Sequence, residues 1–335
     1  MQIMNLKAQK MLINLAKNQV LNKQFSTFNF CSKKELPTKS ISELEEYWDE
    51  FSGDYTNKIS GSQVGVYSSM LNMMNIETKK NILETGLGPG YMIPFLIQRK
   101  QQDAHLTLTD LSSQFLAISQ KRLEVFQSNP FGNLYDFEIK KIQPFQGEKK
   151  EFKDFNLILE KVNSEKLPYK DNQFDAYISS LCLQLTTNPQ NMINEAYRVL
   201  QKEGIASFSV WGDRKISYIF TVAVQILKEE KIKIPEARSN FHLGKKEKLN
   251  KMLEEAGFQE CIFWNQFMPW NWVTRESEVD SLLGDKIIQQ LLELIENQEQ
   301  KQNIMKKIKQ RYLQIIKNDH QAIGLDTLAV IARKL

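Results

Sequence analysis

The residues most suited to binding a ligand lie in the segment 81–90, with the sequence NILETGLGPG. Apolar residues lead into an acid, three glycines alternate with other residues, and an apolar stretch follows over 91–97. This order predicts a strand, a glycine turn and a helix, which present backbone N–H groups and a helix N-terminus to a bound molecule. Glycine suits such a turn because it permits positive φ and close approach of a ligand. We therefore expect a binding site formed by Glu84, Gly86, Gly88 and Gly90.

A second acid ends the next predicted strand, which has the sequence HLTLTD at 105–110. Asp110 follows Glu84 by 26 residues, which is the length of one βαβ unit. A carboxylate at this position can accept two hydrogen bonds from ribose hydroxyls. Leu111 can pack on a purine face, and Ser112 can cap the next helix. The alternative for Asp110 is a helix cap or a solvated strand end.

Two later segments continue the pattern, VNSEKLPYKDNQFDAYISS at 162–180 and EAYRVLQKEG at 195–204. The first ends in a mostly apolar stretch, which is typical of a buried parallel strand. Asn188 and Pro189, which lie between these two segments, favour a helix start, because asparagine can cap and proline is tolerated in the first turn. The second segment predicts the end of that helix and a glycine turn into another strand.

In this order and spacing, the four segments resemble the motifs of class I S-adenosylmethionine-dependent methyltransferases, in the broad type 11, UbiE-like group. The resemblance covers roughly residues 81–212. It implies an α/β, Rossmann-like fold with a seven-stranded, mostly parallel sheet and helices on both faces, and S-adenosyl-L-methionine as the methyl donor. The implied donor site comprises Glu84, Gly86, Gly88 and Gly90 around the methionine moiety, Asp110 on the ribose, Leu111 on the adenine face, Asn163 and Ser164 on the adenine edge, and Leu181 with Cys182 as a wall.

The sequence departs from this family pattern at several positions. Many relatives have a histidine where this chain has Gln184, and glutamine cannot act as a base near neutral pH. Asn163 replaces the more usual aspartate, and Pro89 removes one N–H from the glycine loop. The FGIRN segment of ubiquinone-biosynthesis C-methyltransferases is missing, so we do not place the chain in that subgroup.

The sequence assigns no catalytic residue. His105 begins a predicted strand and is expected at the opposite end of the sheet from the site, and His320 lies in a polar turn. His242 lies between the predicted fifth and sixth strands, where substrate-covering segments usually insert. A helix cap or a surface position is the alternative for His242.

The composition is typical of a globular protein and excludes several classes. Of 335 residues, 41% are hydrophobic and 25% are charged, so the chain can bury a large core. No apolar stretch approaches the roughly 18 residues that a membrane-spanning helix needs. The three cysteines, Cys31, Cys182 and Cys261, are scattered and predict neither a disulfide framework nor a metal site.

The N-terminal segment 1–34 differs from the rest of the chain. It carries six lysines and no acid, so its positive charge exceeds the net charge of +4 of the whole chain. The remainder is therefore close to neutral, which argues against a nucleic-acid partner. A basic, amphipathic, acid-free leader resembles a mitochondrial transit peptide. The alternative is a frayed extension of a cytoplasmic protein.

We interpret residues 35–335 as one methyltransferase domain with a helical N-terminal cap. The cap comprises a helix that begins near Ser40 and a second over 64–74, and the aromatic residues of the first helix are expected in the core. Helical inserts are predicted near 214–256 and 275–320. Within them, Ser217–Lys228 and Lys245–Ala256 are predicted helices, and Lys286–Lys317 is one long stretch that could be a packing helix, a lid or a partner surface. Finally, 127–153 is predicted as an exposed loop and 325–335 as the last strand.

We expect a methyltransferase that acts on a small-molecule or lipid-like acceptor. The alternative is a non-catalytic, methyltransferase-like subunit or assembly factor of a mitochondrial complex, with the C-terminal helical stretch as its contact. A nicotinamide dehydrogenase is disfavoured because bulky Tyr91 occupies the last glycine position of its fingerprint. A nucleic-acid methyltransferase is disfavoured because the chain lacks an Asn-Pro-Pro-Tyr-type signature.

Overall fold

A computed structural model describes residues 40–58, 60–129, 142–234, 238–269, 276–284, 286–317 and 321–335. The chain divides into two compact units. The larger comprises Lys39–Ile216, Leu243–Asn271 and Gly324–Leu335, and the smaller includes Ser217–His242 and Trp272–Ile323. The predicted leader, together with Trp270, Trp272 and His320, lies outside the described residues.

The larger unit contains a sheet of eight strands in the order β3-β4-β2-β1-β5-β6-β8-β7. The strands are β1 (Asn81–Thr85), β2 (His105–Asp110), β3 (Lys149–Phe152), β4 (Leu157–Lys161), β5 (Phe174–Ser180), β6 (Leu200–Trp211), β7 (Gln259–Pro269) and β8 (Gly324–Arg333). Neighbouring strands from β4 to β6 are parallel, whereas β3 and β8 run antiparallel to their neighbours. This mostly parallel sheet with flanking helices confirms the predicted fold class.

The strand count differs from the predicted seven because β3 forms part of the segment predicted as a loop. Lys149 pairs with Glu160 and Phe152 with Leu157 in an antiparallel hairpin with β4. The turn between the strands passes through Asn156 in the left-handed conformation. Phe152 is buried although the rest of the strand is largely exposed, so one apolar residue in a lysine-rich segment anchors the pairing.

Among the described residues, six α-helices of the larger unit pack against the sheet or one another. They are α1 (Ile41–Lys58), α2 (Val64–Met73), α3 (Ile93–Arg99), α4 (Ser113–Ser128), α5 (Pro189–Val199) and α7 (Lys246–Ala256). The structure confirms the predicted start of α1, where the backbone N–H of Ser40 donates to Glu43 and the backbone N–H of Glu43 donates to the Ser40 hydroxyl. This reciprocal pair is a capping box.

The main core of the larger unit lies between β5, β6, β8 and two helices. Apolar residues of α5 and α7, among them Met192, Ile193 and Leu249, are fully buried against Phe208 and Val330 of the sheet. The amphipathic spacing of α7 is therefore explained by burial of one face. Gly257 ends α7 with a positive φ, as a C-cap glycine is expected to do.

The smaller unit contains α6 (Tyr218–Glu229), α8 (Glu276–Leu283), α9 (Lys286–Leu292) and α10 (Gln298–Lys317). The stretch predicted as one long helix is thus two, because Asn297 accepts a hydrogen bond from the backbone N–H of Gln300 and starts α10 anew. The apolar face of α10 is buried and contacts α6, where the Tyr312 hydroxyl donates to the carbonyl of Ile219 at 3.3 Å. Within the described residues, no helix combines the length and apolar character needed to cross a membrane.

Candidate functional site

The glycine loop leaves β1 at the carboxyl edge of the sheet, where α1 and the end of β5 also lie close to it. Gly86 and Gly90 both have a φ of +68°, a conformation that L side chains rarely adopt. A Cβ on Gly86 would overlap the Sγ of Cys182, and a Cβ on Gly90 would lie 2.5 Å from the Oγ of Ser119. Glycine at these two positions therefore allows the loop to pass between the end of β5 and α4.

Asp110 ends β2 beside this loop and holds it through a backbone hydrogen bond. Its Oδ2 accepts from the N–H of Gly88 at 2.8 Å, and its Oδ1 accepts from the N–H of Ser112 at 2.9 Å. The side chain is largely buried, and burial raises the pKa of Asp110 to about 6 despite these two bonds. Asp110 is thus a fixed acceptor at the edge of the sheet, as the sequence predicts.

Glu84 is the last residue but one of β1 and is directed towards α2. Its Oε2 accepts a hydrogen bond of 2.8 Å from the hydroxyl of Tyr67. Burial raises the pKa of Glu84 to about 8, with a further increase from the negative charge of Asp110, although the bond from Tyr67 opposes this rise. A carboxyl in this environment is largely protonated at neutral pH when no cation is nearby.

A cavity with an empty volume of about 840 Å³, part of it open to solvent, lies over the loop and the ends of β1, β2, β4 and β5. Seven of the nine predicted binding residues line it: Gly86, Gly88, Asp110, Leu111, Asn163, Ser164 and Leu181. Glu84 and Gly90 do not line it, because Glu84 faces Tyr67 and Gly90 faces Ser119. These two residues therefore contact the neighbouring helices and not the cavity.

Leu111, Val162, Asn163 and Ser164 form one end of the cavity. The Oδ1 of Asn163 accepts a hydrogen bond from the backbone N–H of Glu165 at 2.9 Å, which closes a turn directly after β4. This turn fixes the asparagine beside Leu111 at the wall predicted for adenine. A carbonyl oxygen can accept two hydrogen bonds, so this turn leaves one acceptor position on Asn163.

The helix α1 supplies another part of the cavity wall through Leu44, Trp48 and Tyr55, and these residues pack together with Leu111 and Phe115. The rings of Trp48 and Tyr55 lie edge to face at 5.8 Å, and each also packs near Phe115 of α4. The sequence predicted these aromatic residues as core and did not predict that Trp48 and Tyr55 line the site. Their spacing of seven residues places them on one face of the helix, and this spacing was the sequence signal that could have predicted a shared role.

The turn after β5 is strained and forms the remaining wall. Leu181 has a φ of +53°, which is unfavourable for a residue with a branched side chain, and its N–H donates to Ser209 of β6. Gln184 is fully buried and donates to the carbonyl of Leu181 at 2.8 Å. Gln184 therefore braces this turn and does not line the cavity.

A profile described as a methyltransferase domain matches residues 83–208, the segment that contains this loop, Asp110 and the turn after β5. This part of the chain therefore resembles a methyltransferase domain.

Two curated proteins similar to this chain carry different methyltransferase names. The chain is 24% identical over 198 residues to the ubiquinone/menaquinone biosynthesis C-methyltransferase UbiE of Vibrio cholerae, which covers 56% of the chain and 66% of that enzyme. It is 25% identical over 167 residues to the malonyl-[acyl-carrier protein] O-methyltransferase of a Marinomonas species, covering 50% of the chain and 51% of that enzyme. The chain thus spans two thirds or less of the length of these relatives.

Among solved structures, the chain is similar to the [4+2]-cyclase SpnF, with a TM-score of 0.50 and 13% identity. The match covers 90% of this chain and 99% of the cyclase. At this identity the likeness concerns the fold alone, and a protein described as a cyclase shares it. The reaction must therefore be argued from the site.

The described residues of this site include no evident general base. Among the described residues, the carboxylates that line the cavity are Asp110 and Glu165, and both already accept backbone hydrogen bonds. The thiol of Cys182 stays protonated because burial raises its pKa to about 12. The Nδ1 of His242 lies 2.9 Å from the carbonyl of Ser239 in its own turn, and His242 does not line the cavity. Within the described part of the chain, no cluster of side chains could hold a metal ion.

Proposed function

We propose that this protein binds S-adenosyl-L-methionine and transfers its methyl group to a small-molecule or lipid-like acceptor. The observation that carries the proposal is the pairing of Asp110 with the backbone of Gly88 in a cavity whose end is formed by Leu111 and Asn163. A nucleoside with an amino-acid chain needs a ribose acceptor, a bare backbone surface and an apolar base pocket in this order.

The glycine loop fits this donor in shape. At Gly86, the Sγ of Cys182 leaves no room for a side chain. At Gly88, a Cβ built on the glycine would have the Cε1 of Tyr55 as its nearest neighbour, 3.9 Å away. A ligand can therefore approach the backbone directly. When bound, S-adenosyl-L-methionine supplies an electrophilic methyl group on a positively charged sulfur.

The residues of the chain would act by binding, orientation and exclusion of water. Asp110 would hold the ribose hydroxyls, and Leu111 and Asn163 would contact the adenine. Trp48 and Tyr55 would cover the donor, because α1 places both over the loop. Holding donor and acceptor in line can lower the barrier by about 7–11 kcal/mol in favourable cases, without a catalytic acid or base.

The relatives support methyl transfer, and their names include both a quinone-biosynthesis enzyme and an acyl-carrier-protein enzyme. We test donor binding by calorimetry with S-adenosyl-L-methionine, comparing the full chain with Asp110→Ala. We expect binding by the wild type and a strong loss in the variant, and equal heats would refute the site. At about 100 times its Kd, the donor should also raise the free energy of unfolding by about 2.7 kcal/mol.

The acceptor class is tested by supplying donor with a labelled methyl group to extracts made with and without the active chain. We expect label to appear in the small-molecule or lipid fraction and to disappear with Asp110→Ala. Donor binding without label in any fraction, together with purification in a stoichiometric assembly, would instead favour a non-catalytic subunit.

For the leader, we propose delivery to mitochondria by residues 1–34. The support is the basic, acid-free composition of this segment. We expect a fluorescent protein fused to residues 1–34 to enter mitochondria, and a fusion with its six lysines changed to glutamine to stay in the cytosol. Cytosolic fluorescence from the unchanged fusion would contradict the proposal.

A further inference from the structure

Tyr55 of α1 lies next to Gly88, the middle glycine of the loop, and both residues line the cavity. Its Cε1 is 3.9 Å from the Cβ position of Gly88, and its ring packs edge to face against Trp48 and Phe115. The hydroxyl accepts a hydrogen bond from the side-chain amide of Gln63. Aromatic packing and this bond together fix the position of the ring in the cavity.

Gly88 occupies the middle of the proposed donor path. Its N–H is bonded to Asp110, the residue proposed to hold the ribose. Two residues earlier, Gly86 begins the loop surface proposed for the methionine moiety, with Cys182 against it. A residue over Gly88 therefore stands over the junction between the ribose and methionine parts of the donor.

In S-adenosyl-L-methionine this junction is the sulfur atom, which carries a positive charge. In the product, S-adenosyl-L-homocysteine, the same sulfur is neutral. The face of an aromatic ring attracts a cation, and the attraction grows when water is excluded. The buried acids Glu84 and Asp110 at the same edge of the sheet add to the negative character of this position when ionised.

We propose that the ring of Tyr55 recognises the sulfonium charge and makes the site prefer the methyl donor over its product. This inference rests on the proposed function, since it assigns a role towards the proposed donor. Tyr55 would thus favour release of the spent product after each transfer. The rival explanation is that Tyr55 only fills space above the loop.

Three ligands separate these explanations: the donor, the product, and sinefungin, which carries an amino-substituted carbon in place of the sulfonium and so keeps a positive charge there. Calorimetric titration of the full chain gives a Kd for each. We compare the wild type with Tyr55→Leu, which removes the ring, and Tyr55→Phe, which keeps it. Trp48→Leu is the matched control, because it removes an aromatic ring from the same helix and cavity but next to Leu111 and Phe115.

In Tyr55→Leu we expect the donor and sinefungin to bind about tenfold more weakly, while the product changes by less than about twofold. Tyr55→Phe should keep the wild-type preference, and Trp48→Leu should weaken all three ligands by the same factor. The ratio of Kd values controls for partial misfolding, because a smaller competent fraction lowers every affinity equally.

Equal weakening of all three ligands in Tyr55→Leu would overturn the charge-recognition role and leave the donor site intact. Loss of the preference in Tyr55→Phe would also overturn it, because the hydroxyl and not the ring would then carry the effect. A wild-type protein that binds none of the three ligands would refute the proposed function itself. The two failures are therefore distinguishable.

Discussion

Glu84 and Asp110 lie near the carboxyl ends of two neighbouring parallel strands, and the negative charge of Asp110 helps to raise the pKa of Glu84. Both carboxyls are buried at the same edge of the sheet, one below the glycine loop and one beside it. Burial is the main cause of both raised pKa values, which are about 8 for Glu84 and about 6 for Asp110. This pair makes the stability of the protein dependent on pH.

Stability should decrease with rising pH because of Glu84. The folded state keeps this carboxyl protonated up to about pH 8, whereas the unfolded chain releases its proton near the ordinary value of 4.5. Between these values the folded state holds more protons, so each added pH unit costs at most about 1.4 kcal/mol. We expect Glu84→Gln, which stays neutral, to lose this dependence.

Urea denaturation of both proteins between about pH 5 and pH 8 measures the effect as the difference in their free energies of unfolding. Tyr67→Phe provides a second check, since the Tyr67 hydroxyl lowers the pKa of Glu84. Its removal should extend the pH-dependent window upward. A difference between wild type and Glu84→Gln that stays constant with pH would contradict the prediction.

Asp110→Asn should weaken both the fold and donor binding. The two carboxylate oxygens accept from two different backbone N–H groups, and an asparagine has one acceptor oxygen for both. Loss of one such bond should lower the free energy of unfolding by about 1–3 kcal/mol and the affinity for donor by tenfold or more. Urea denaturation and calorimetry measure the two effects.

Asp103→Asn is the matched control for this variant. Asp103 precedes the same strand at its other end and forms an exposed ion pair with Lys80. Both measurements should match the wild type. Equal effects of Asp103→Asn and Asp110→Asn would show that a general change in charge, and not the local bonds of Asp110, is responsible.

The sequence was sufficient to predict the strands β1, β2 and β5 and several residues of the cavity. Their signals are local, because an apolar stretch that ends in an acid or a glycine identifies both the strand and its carboxyl end. The same local logic predicted α1 from the cap at Ser40. These elements position seven of the nine predicted residues along one cavity.

The remainder depended on packing between distant segments. The direction of Glu84 is set by Tyr67 on α2, and the strand β3 exists because Phe152 is buried in a hairpin with β4. Trp48 and Tyr55 both pack in the core and line the cavity. The spacing of residues along one helix cannot distinguish a core position from a cavity position. Side-chain direction therefore limited the prediction more than secondary structure did.

Alanine at two glycines of the loop should have clearly different costs. Gly86 and Gly88 have φ values of +68° and +61°, so each substitution carries about 1–2 kcal/mol of backbone strain. At Gly88 the nearest atom to the new Cβ is 3.9 Å away, whereas at Gly86 the new Cβ overlaps Cys182. We expect Gly86→Ala to lower the free energy of unfolding at least about twice as much.

Urea denaturation of the two variants in parallel measures this difference. Each variant is the control for the other, because loop position and φ are similar and only the available space differs. Equal losses of unfolding free energy would show that Cys182 moves away from the new Cβ at no cost. The space beside Gly86 would then not be closed to a side chain.

Asp49 should connect the stability of α1 to the binding site. Its Oδ1 accepts hydrogen bonds from the Ser112 hydroxyl and from the backbone N–H of Gln114 at 3.0 Å, at the positive N-terminus of α4. Asp49→Ala should lower the free energy of unfolding by about 1–2 kcal/mol and also weaken donor binding, because α1 carries Trp48 and Tyr55. Urea denaturation and calorimetry measure both, with the exposed neighbour Glu50→Ala as control. In a double-mutant cycle, the losses of unfolding free energy caused by Asp49→Ala and Ser112→Ala should be non-additive, because these two side chains are hydrogen-bonded to each other. Additive losses, or unchanged donor affinity in Asp49→Ala, would show that α1 is held over the cavity by its aromatic packing alone.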